Sequence, residues 1–231
     1  MRKQLFSLVS AMLCVLTLLP TTAFAQTSSS TITTSNSVYP SEGSTLNYTD
    51  VSADDWFYHN VEFVTTNGLM NGTEAGKFSP AISMTRAMLV TALWRMEDEP
   101  VMGNGKSGTF PDVPEYVWYT EAIEWAAAYN FIYGYPHGNF GPTDNLSRQD
   151  TVVILYRYAQ YKGYDVTVGE GTNILSYGDA FAISEYAIPA VQWACAEGLI
   201  RGYNGNLTPT NAAQRAQATA ILQRFIENVA T

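Results

Sequence analysis

The chain has 231 residues, 46% of them hydrophobic, with 12 Lys and Arg against 21 Asp and Glu and a net charge of −9. That apolar content is enough for a core, while so acidic a surface repels phosphate backbones and anionic lipid, which argues against a nucleic-acid or membrane-surface protein. It leaves room for a local cationic pocket that takes an acidic ligand.

Residues 1–25 read MRKQLFSLVSAMLCVLTLLPTTAFA. Arg2 and Lys3, a short apolar run and Ala23-Phe24-Ala25 form the basic, hydrophobic and cleavage regions of a secretory signal peptide. The run is too short for a membrane span. Cutting after Ala25 removes two cations and no acid, leaving 206 residues at −11 with Cys195 as the one cysteine. An exported chain with a single thiol has no internal disulfide and relies on its core. Cys195 stands in a helical run, where it reads as a small buried hydrophobe. Residues 26–47 are Ser/Thr-rich and poor in large apolar groups, so they read as a flexible tether.

From residue 48 one unit recurs three times, over 48–98, 109–160 and 175–227. Each copy opens on aromatic-x-Asp, at Tyr48 to Asp50, Phe110 to Asp112 and Tyr177 to Asp179. An aromatic follows at Trp56, Trp118 and Tyr186, and then a helical run that stops at Gly68, Asn130 and Gly198. Gly or Asn there is what a helix end needs, because the next residue commonly turns left-handed. A turn leads to Pro80, Pro142 and Pro209, and six residues beyond each proline stands Arg86, Arg148 or Arg215. Thr85 and Ser147 sit where a hydroxyl caps a helix start. The second helix carries Leu89, Leu93 and Met96 on one face, matched by Leu155 and Tyr158, then by Leu222 and Phe225. A helix-turn-helix pair of this size cannot bury its own apolar stripe, so three must pack together.

These residues resemble three tandem S-layer homology domains. The resemblance is carried by the aromatic-x-Asp, the Trp six residues on, the Gly-x-x-x-Gly step, the Phe-x-Pro and Thr85-Arg86-Ala87. It implies a mainly all-α fold in which three helix-turn-helix repeats form a pseudo-threefold spindle around a central three-helix bundle. It also implies a non-catalytic anchor whose inter-repeat grooves bind secondary cell-wall polymer attached to peptidoglycan, through an anionic, pyruvylated amino sugar. The expected location is the wall or S-layer of a Gram-positive bacterium. A lectin-like or protein-docking use of the same grooves is the alternative.

The expected ligand-binding residues are Arg86, Arg148, Arg215, Asp50, Asp112, Asp179, Trp56, Trp118, Gly72 and Gly134. Each arginine stands at a helix start, where unpaired amides and the dipole favour an anion and a guanidinium adds two-pronged donation to a carboxylate. An arginine bridging two repeats would give the same repetition. Trp56 and Trp118 offer faces for a sugar, the acids accept from hydroxyls, and Gly72 and Gly134 allow close backbone approach. Met88, Asp150 and Gln217 stand where the resemblance calls for the glutamate of Thr-Arg-Ala-Glu. The third copy also has Tyr186 in place of Trp and Ala213-Gln214 before its arginine, so grooves using the first two copies are the expected sites.

Other features read as structural. Trp125 and Trp193 fall mid-helix and belong to the core. Arg95, Arg157 and Arg224 suit helix ends. Residues 103–108 match Gly-x-Gly-x-x-Gly but follow no strand, so they read as a linker. His59 and His137 lack partners at metal-ligand spacing. No Ser-His-Asp or Cys-His arrangement is present, and neither metal nor cofactor is expected.

Overall fold

A computed structural model describes residues 46–101 and 108–230. The expected signal peptide, nearly all of the tether and most of the 103–108 linker lie outside the described residues. Among the described residues there are six α-helices: α1 Tyr58–Thr66, α2 Arg86–Met96, α3 Thr120–Ala128, α4 Arg148–Lys162, α5 Ile188–Ala196 and α6 Arg215–Asn228. Among the described residues strand pairing is limited to isolated bridges, so the fold is mainly helical. No described helix is long and apolar enough to cross a membrane.

Each repeat supplies a first helix (α1, α3, α5) and a second (α2, α4, α6). The boundaries follow local chemistry. Gly68, Asn130 and Gly198 take φ of 69°, 58° and 67°, ending the first helices as left-handed residues. Thr85 and Ser147 accept from the amides of Met88 and Asp150 at 3.3 and 3.1 Å and cap α2 and α4. Gln214 and Gln217 form a reciprocal box that does the same for α6.

The close helix packing runs between repeats. α2 packs on α3, α4 on α5, and α6 returns to α1, so the repeats form a closed cycle. The cycle is fastened at the starts of the second helices. Leu146 N–H donates to Met84 C=O, Ala213 N–H to Leu146 C=O and Met84 N–H to Ala213 C=O, each at 2.8 Å. The first two free amides of each second helix then bond to the neighbouring repeat's turn. Arg86 and Ala87 donate to Asp144 and Pro142, Arg148 and Gln149 to Asn211 and Pro209, and Arg215 and Ala216 to Ile82 and Pro80, at 2.8–3.1 Å. Helix-start amides, which lack an intrahelical acceptor, thus find one across the interface.

The turns that offer these carbonyls are held by the opening acids. Asp50 accepts from the amides of Phe78 and Ser79, Asp112 from Phe140 and Gly141, and Asp179 from Leu207 and Thr208, all at 2.7–2.8 Å. The second residue of each pair has φ of 51–74°, so the carboxylate fixes a turn that most side chains disfavour. The glycine steps serve the same packing. A Cβ at Gly72, Gly134 or Gly202 would strike the ring of Tyr48, Phe110 or Tyr177, the opening aromatic of its own repeat.

Leu89, Leu93, Leu155, Tyr158, Leu222 and Phe225 are buried, as are Trp125 and Trp193. Their rings join repeats two and three: Trp125 meets Phe131 at 5.0 Å, Phe131 meets Tyr158 at 5.4 Å and Tyr158 meets Phe225 at 5.8 Å. Away from the hydrogen-bonded ring, Glu97 accepts from Tyr158 and pairs with Lys162 at 2.7 Å, a second tie between repeats one and two. Cys195 is half-buried, and burial raises its thiol to about 11, which leaves it protonated and unreactive.

Burial alone would raise the Asp112 carboxyl, but the amides of Phe140 and Gly141 outweigh it and hold it below the usual carboxylate range. Asp112→Ala should cost about 2 kcal/mol in urea unfolding, the worth of hydrogen bonds to a charged group. A depressed folded value gives stability that is present above the unfolded one and lost as pH falls through the folded one. Wild type should therefore lose stability faster than Asp112→Asn below about pH 4.

Candidate functional site: grooves shared by all three repeats

Nine residues separate the two arginines of each second helix. At 100° per residue that is half a turn beyond two full turns, so the pair points to opposite sides. The consequence is that α2, α4 and α6 each send one arginine into each of two grooves.

One groove of about 410 Å³ is lined by residues 69–73, Met88 and Arg95 of repeat one, Arg215 of repeat three and Trp118 of repeat two. A second, of about 590 Å³, is lined by Ile200, Arg201, Gln217 and Arg224 of repeat three, Arg148 of repeat two and Trp56 of repeat one. Both volumes suit a small ligand. In the corresponding place on repeat two, Arg86 reaches over from repeat one, and Arg157 lies over the Tyr133 ring at 5.0 Å. There Tyr186 of repeat three donates to Asp150 at 2.7 Å. Each of the two grooves thus combines an arginine, a Gly-bounded step and an aromatic from three different repeats, and Arg86, the step at Tyr133 and Tyr186 occupy the matching places on repeat two.

The first arginines are stitches between repeats. Arg86 donates from Nε to Phe140 C=O at 2.9 Å and from Nη2 to Tyr133 C=O at 2.8 Å. Arg215 repeats this on Phe78 C=O at 3.1 Å and Asn71 C=O at 2.8 Å. Arg148 bonds Leu207 C=O at 2.8 Å and reaches Arg201 C=O only at 3.5 Å. The Arg86 and Arg215 guanidiniums lie 4.6 and 4.5 Å from the ring centres of Phe140 and Phe78, whereas Leu207 gives Arg148 no ring. None of the three takes part in an ion pair within 4 Å among the described residues. Burial lowers all three, and Arg215, 3% exposed, falls to about 10; each still carries its proton at neutral pH.

The helix-start amides that the sequence suggested for anion binding are spent on the neighbouring repeat. Asp50, Asp112 and Asp179 have both carboxylate oxygens engaged by their own turns. Trp56 and Trp118 stand at groove edges with 64% and 56% exposure, each braced edge-on by the next aromatic, Phe57 at 5.3 Å and Tyr119 at 5.0 Å. Gly72 lines the first groove, and Gly134 holds the matching step of repeat two.

Sequence reasoning assigned Arg95 and Arg224 to helix ends alone, and the structure puts both on groove walls. Arg95 donates to Leu69 C=O at 3.4 Å and Arg224 to Leu199 C=O at 3.1 Å, so each flanks the same Gly-bounded step that a first arginine reaches from the other side. Their nine-residue offset was the available signal.

A closed cycle of helix pairs that shares composite grooves defines the class: a tandem-repeat module whose site exists only when its three repeats are assembled. The chain belongs to the S-layer homology domain family, which matches residues 47–87, 109–152 and 176–219. It is 26% identical over 161 residues to the cellulosome-anchoring protein of Acetivibrio thermocellus, covering 68% of this chain and 35% of that protein. It is 27% identical over 173 residues to the surface-layer 125 kDa protein of Lysinibacillus sphaericus, covering 73% and 14%. With an endoglucanase of a Bacillus species it shares 24% identity over 225 residues, covering 96% of this chain and 22% of the enzyme. The chain spans about a third or less of the length of these relatives.

Arg215→Ala should cost about 3 kcal/mol in urea unfolding, because it strands two carbonyls in a buried interface. Arg148→Ala should cost clearly less, since one of its bonds is long and its side chain is only partly buried. Equal costs at the two positions would contradict the stitch.

Proposed function

We propose that this chain is a non-catalytic module that holds its bearer to the bacterial cell surface by binding secondary cell-wall polymer in the grooves between repeats. The observation that carries this reading is the pairing, in each of the two described grooves, of a half-exposed tryptophan with guanidiniums set around a backbone step. A tryptophan face suits the apolar face of a sugar ring, and an arginine suits an acidic substituent on it. Such a site is cationic on a chain of net charge −9, which favours an anionic glycan over the neutral glycan strands of the wall. Membership of the S-layer homology family and likeness to a protein named for anchoring and to a surface-layer protein support the same reading.

The anionic unit we assign is a pyruvylated amino sugar. Trp56, Trp118 and the first arginines are the residues we expect it to meet, with the opening acids and glycines acting through the turns that they hold. Export, wall location and a Gram-positive host belong to the same proposal.

The test is a pull-down with purified sacculi before and after chemical stripping of the wall polymer. Binding should fall to background on stripping, and Trp56→Ala should weaken binding to intact sacculi without changing the unfolding midpoint. Undiminished binding to stripped sacculi would overturn the polymer reading.

A further inference from the structure

The three pseudo-equivalent places differ in charge. In the groove of repeat one, Arg215 is almost fully buried and already meets Phe78 C=O, Asn71 C=O and the Met88 sulfur, while Arg95 lies 3.6 Å from Glu99. One guanidinium is thus sealed inside the interface, and the other already faces a carboxylate. At repeat two, Asp150 and Asp144 act electrostatically on Arg86, and Asp150 is held in place by Ser147 at 2.6 Å and Tyr186 at 2.7 Å. An incoming anion would meet a fixed carboxylate there.

The groove of repeat three is the opposite case. Its lining holds Arg148, Arg201 and Arg224 and no acid, since Gln217 stands where repeat two has Asp150. Arg201 is exposed and has no counterpart: the matching residues are Asn71 and Tyr133. The three cations press on one another. Burial first, and then the Arg224 charge, lower Arg148; burial first, and then the Arg201 charge, lower Arg224. The acids that act on them, Asp179 and Glu227, do not line the groove; Asp179 accepts from two backbone amides of its own turn and Glu227 from Gln223. Clustered like charges in a concave site are unfavourable until an anion joins them.

We infer that the groove bounded by Trp56 and α6 is the anion-selective site of this chain, with Arg148, Arg201 and Arg224 receiving a compact negative group on a sugar that stacks against Trp56. The inference rests on the proposed function and narrows it to one groove. It also reverses the expectation that the first two copies bind best. The negative group is a carboxylate or a phosphate, and the two are separable by probe.

Titration calorimetry of the protein with the methyl glycoside of a pyruvylated N-acetylhexosamine, with N-acetylglucosamine 6-phosphate and with a neutral methyl N-acetylhexosaminide tests this. At least one acidic sugar should bind, and the neutral one about tenfold or more weaker; whichever acidic sugar binds identifies the group. R201Q and R224Q should each lose about tenfold, the worth of a charge-assisted hydrogen bond, while K77Q, on an exposed turn outside both grooves, should change little. R201Q lies outside the core, so its loss cannot be a folding defect. Equal binding of neutral and acidic sugars, no binding of either acidic sugar, or a loss in K77Q matching that in R201Q would overturn the inference. If the wild type still binds unstripped sacculi in that event, the wall-anchoring reading survives and only the assignment of the groove falls.

Discussion

The rest of the structure depends on where the second helices obtain acceptors for their first amides. A helix start has donors that its own turns cannot satisfy, and here each set is satisfied by the turn of the next repeat. Three such transfers close on themselves through Met84, Leu146 and Ala213. With one repeat removed, the amides of one helix start and the carbonyls of one turn would lose their partners together. That is why the unit contains three repeats, and why the close helix packing lies between repeats.

The same closure shapes the site. Because the amides are used up, the helix starts offer an anion little beyond their side chains, and discrimination passes to arginines, aromatics and the residue after Thr-Arg-Ala. The frame is shared, so substitutions on it change charge without changing shape. Met88, Asp150 and Gln217 sit at one frame position and leave three different electrostatic environments. Leu207 in place of Phe78 or Phe140 removes a ring from beneath Arg148 and leaves its guanidinium the least occupied of the three.

Much of the fold was legible in the sequence because it is local. The left-handed residues at Gly68, Asn130 and Gly198, the caps at Thr85 and Ser147 and the burial of Trp125 and Trp193 all follow from spacing along one segment. Partner choice was not legible. Two helices joined by a turn suggest a hairpin, and nothing in the periodicity of α2 says that its neighbour is α3. The arginine stitches were visible only as an alternative, since a repeated arginine looks the same whether it faces a carbonyl or a ligand. The opening acids gave no hint of their two amide donors, which lie 28 and 29 residues away. Arg201 was overlooked for a different reason: repetition directs attention to what the copies share, and Arg201 has no counterpart in the first two.

The most direct test of the closed cycle is native-state hydrogen exchange at the amides of Met84, Leu146 and Ala213, one from each repeat. If the three bonds are links of one ring, all three amides should exchange through a common opening whose free energy equals that of global unfolding. Exchange of any one of them at a clearly lower free energy, with its repeat opening while the other two remain protected, would contradict the account.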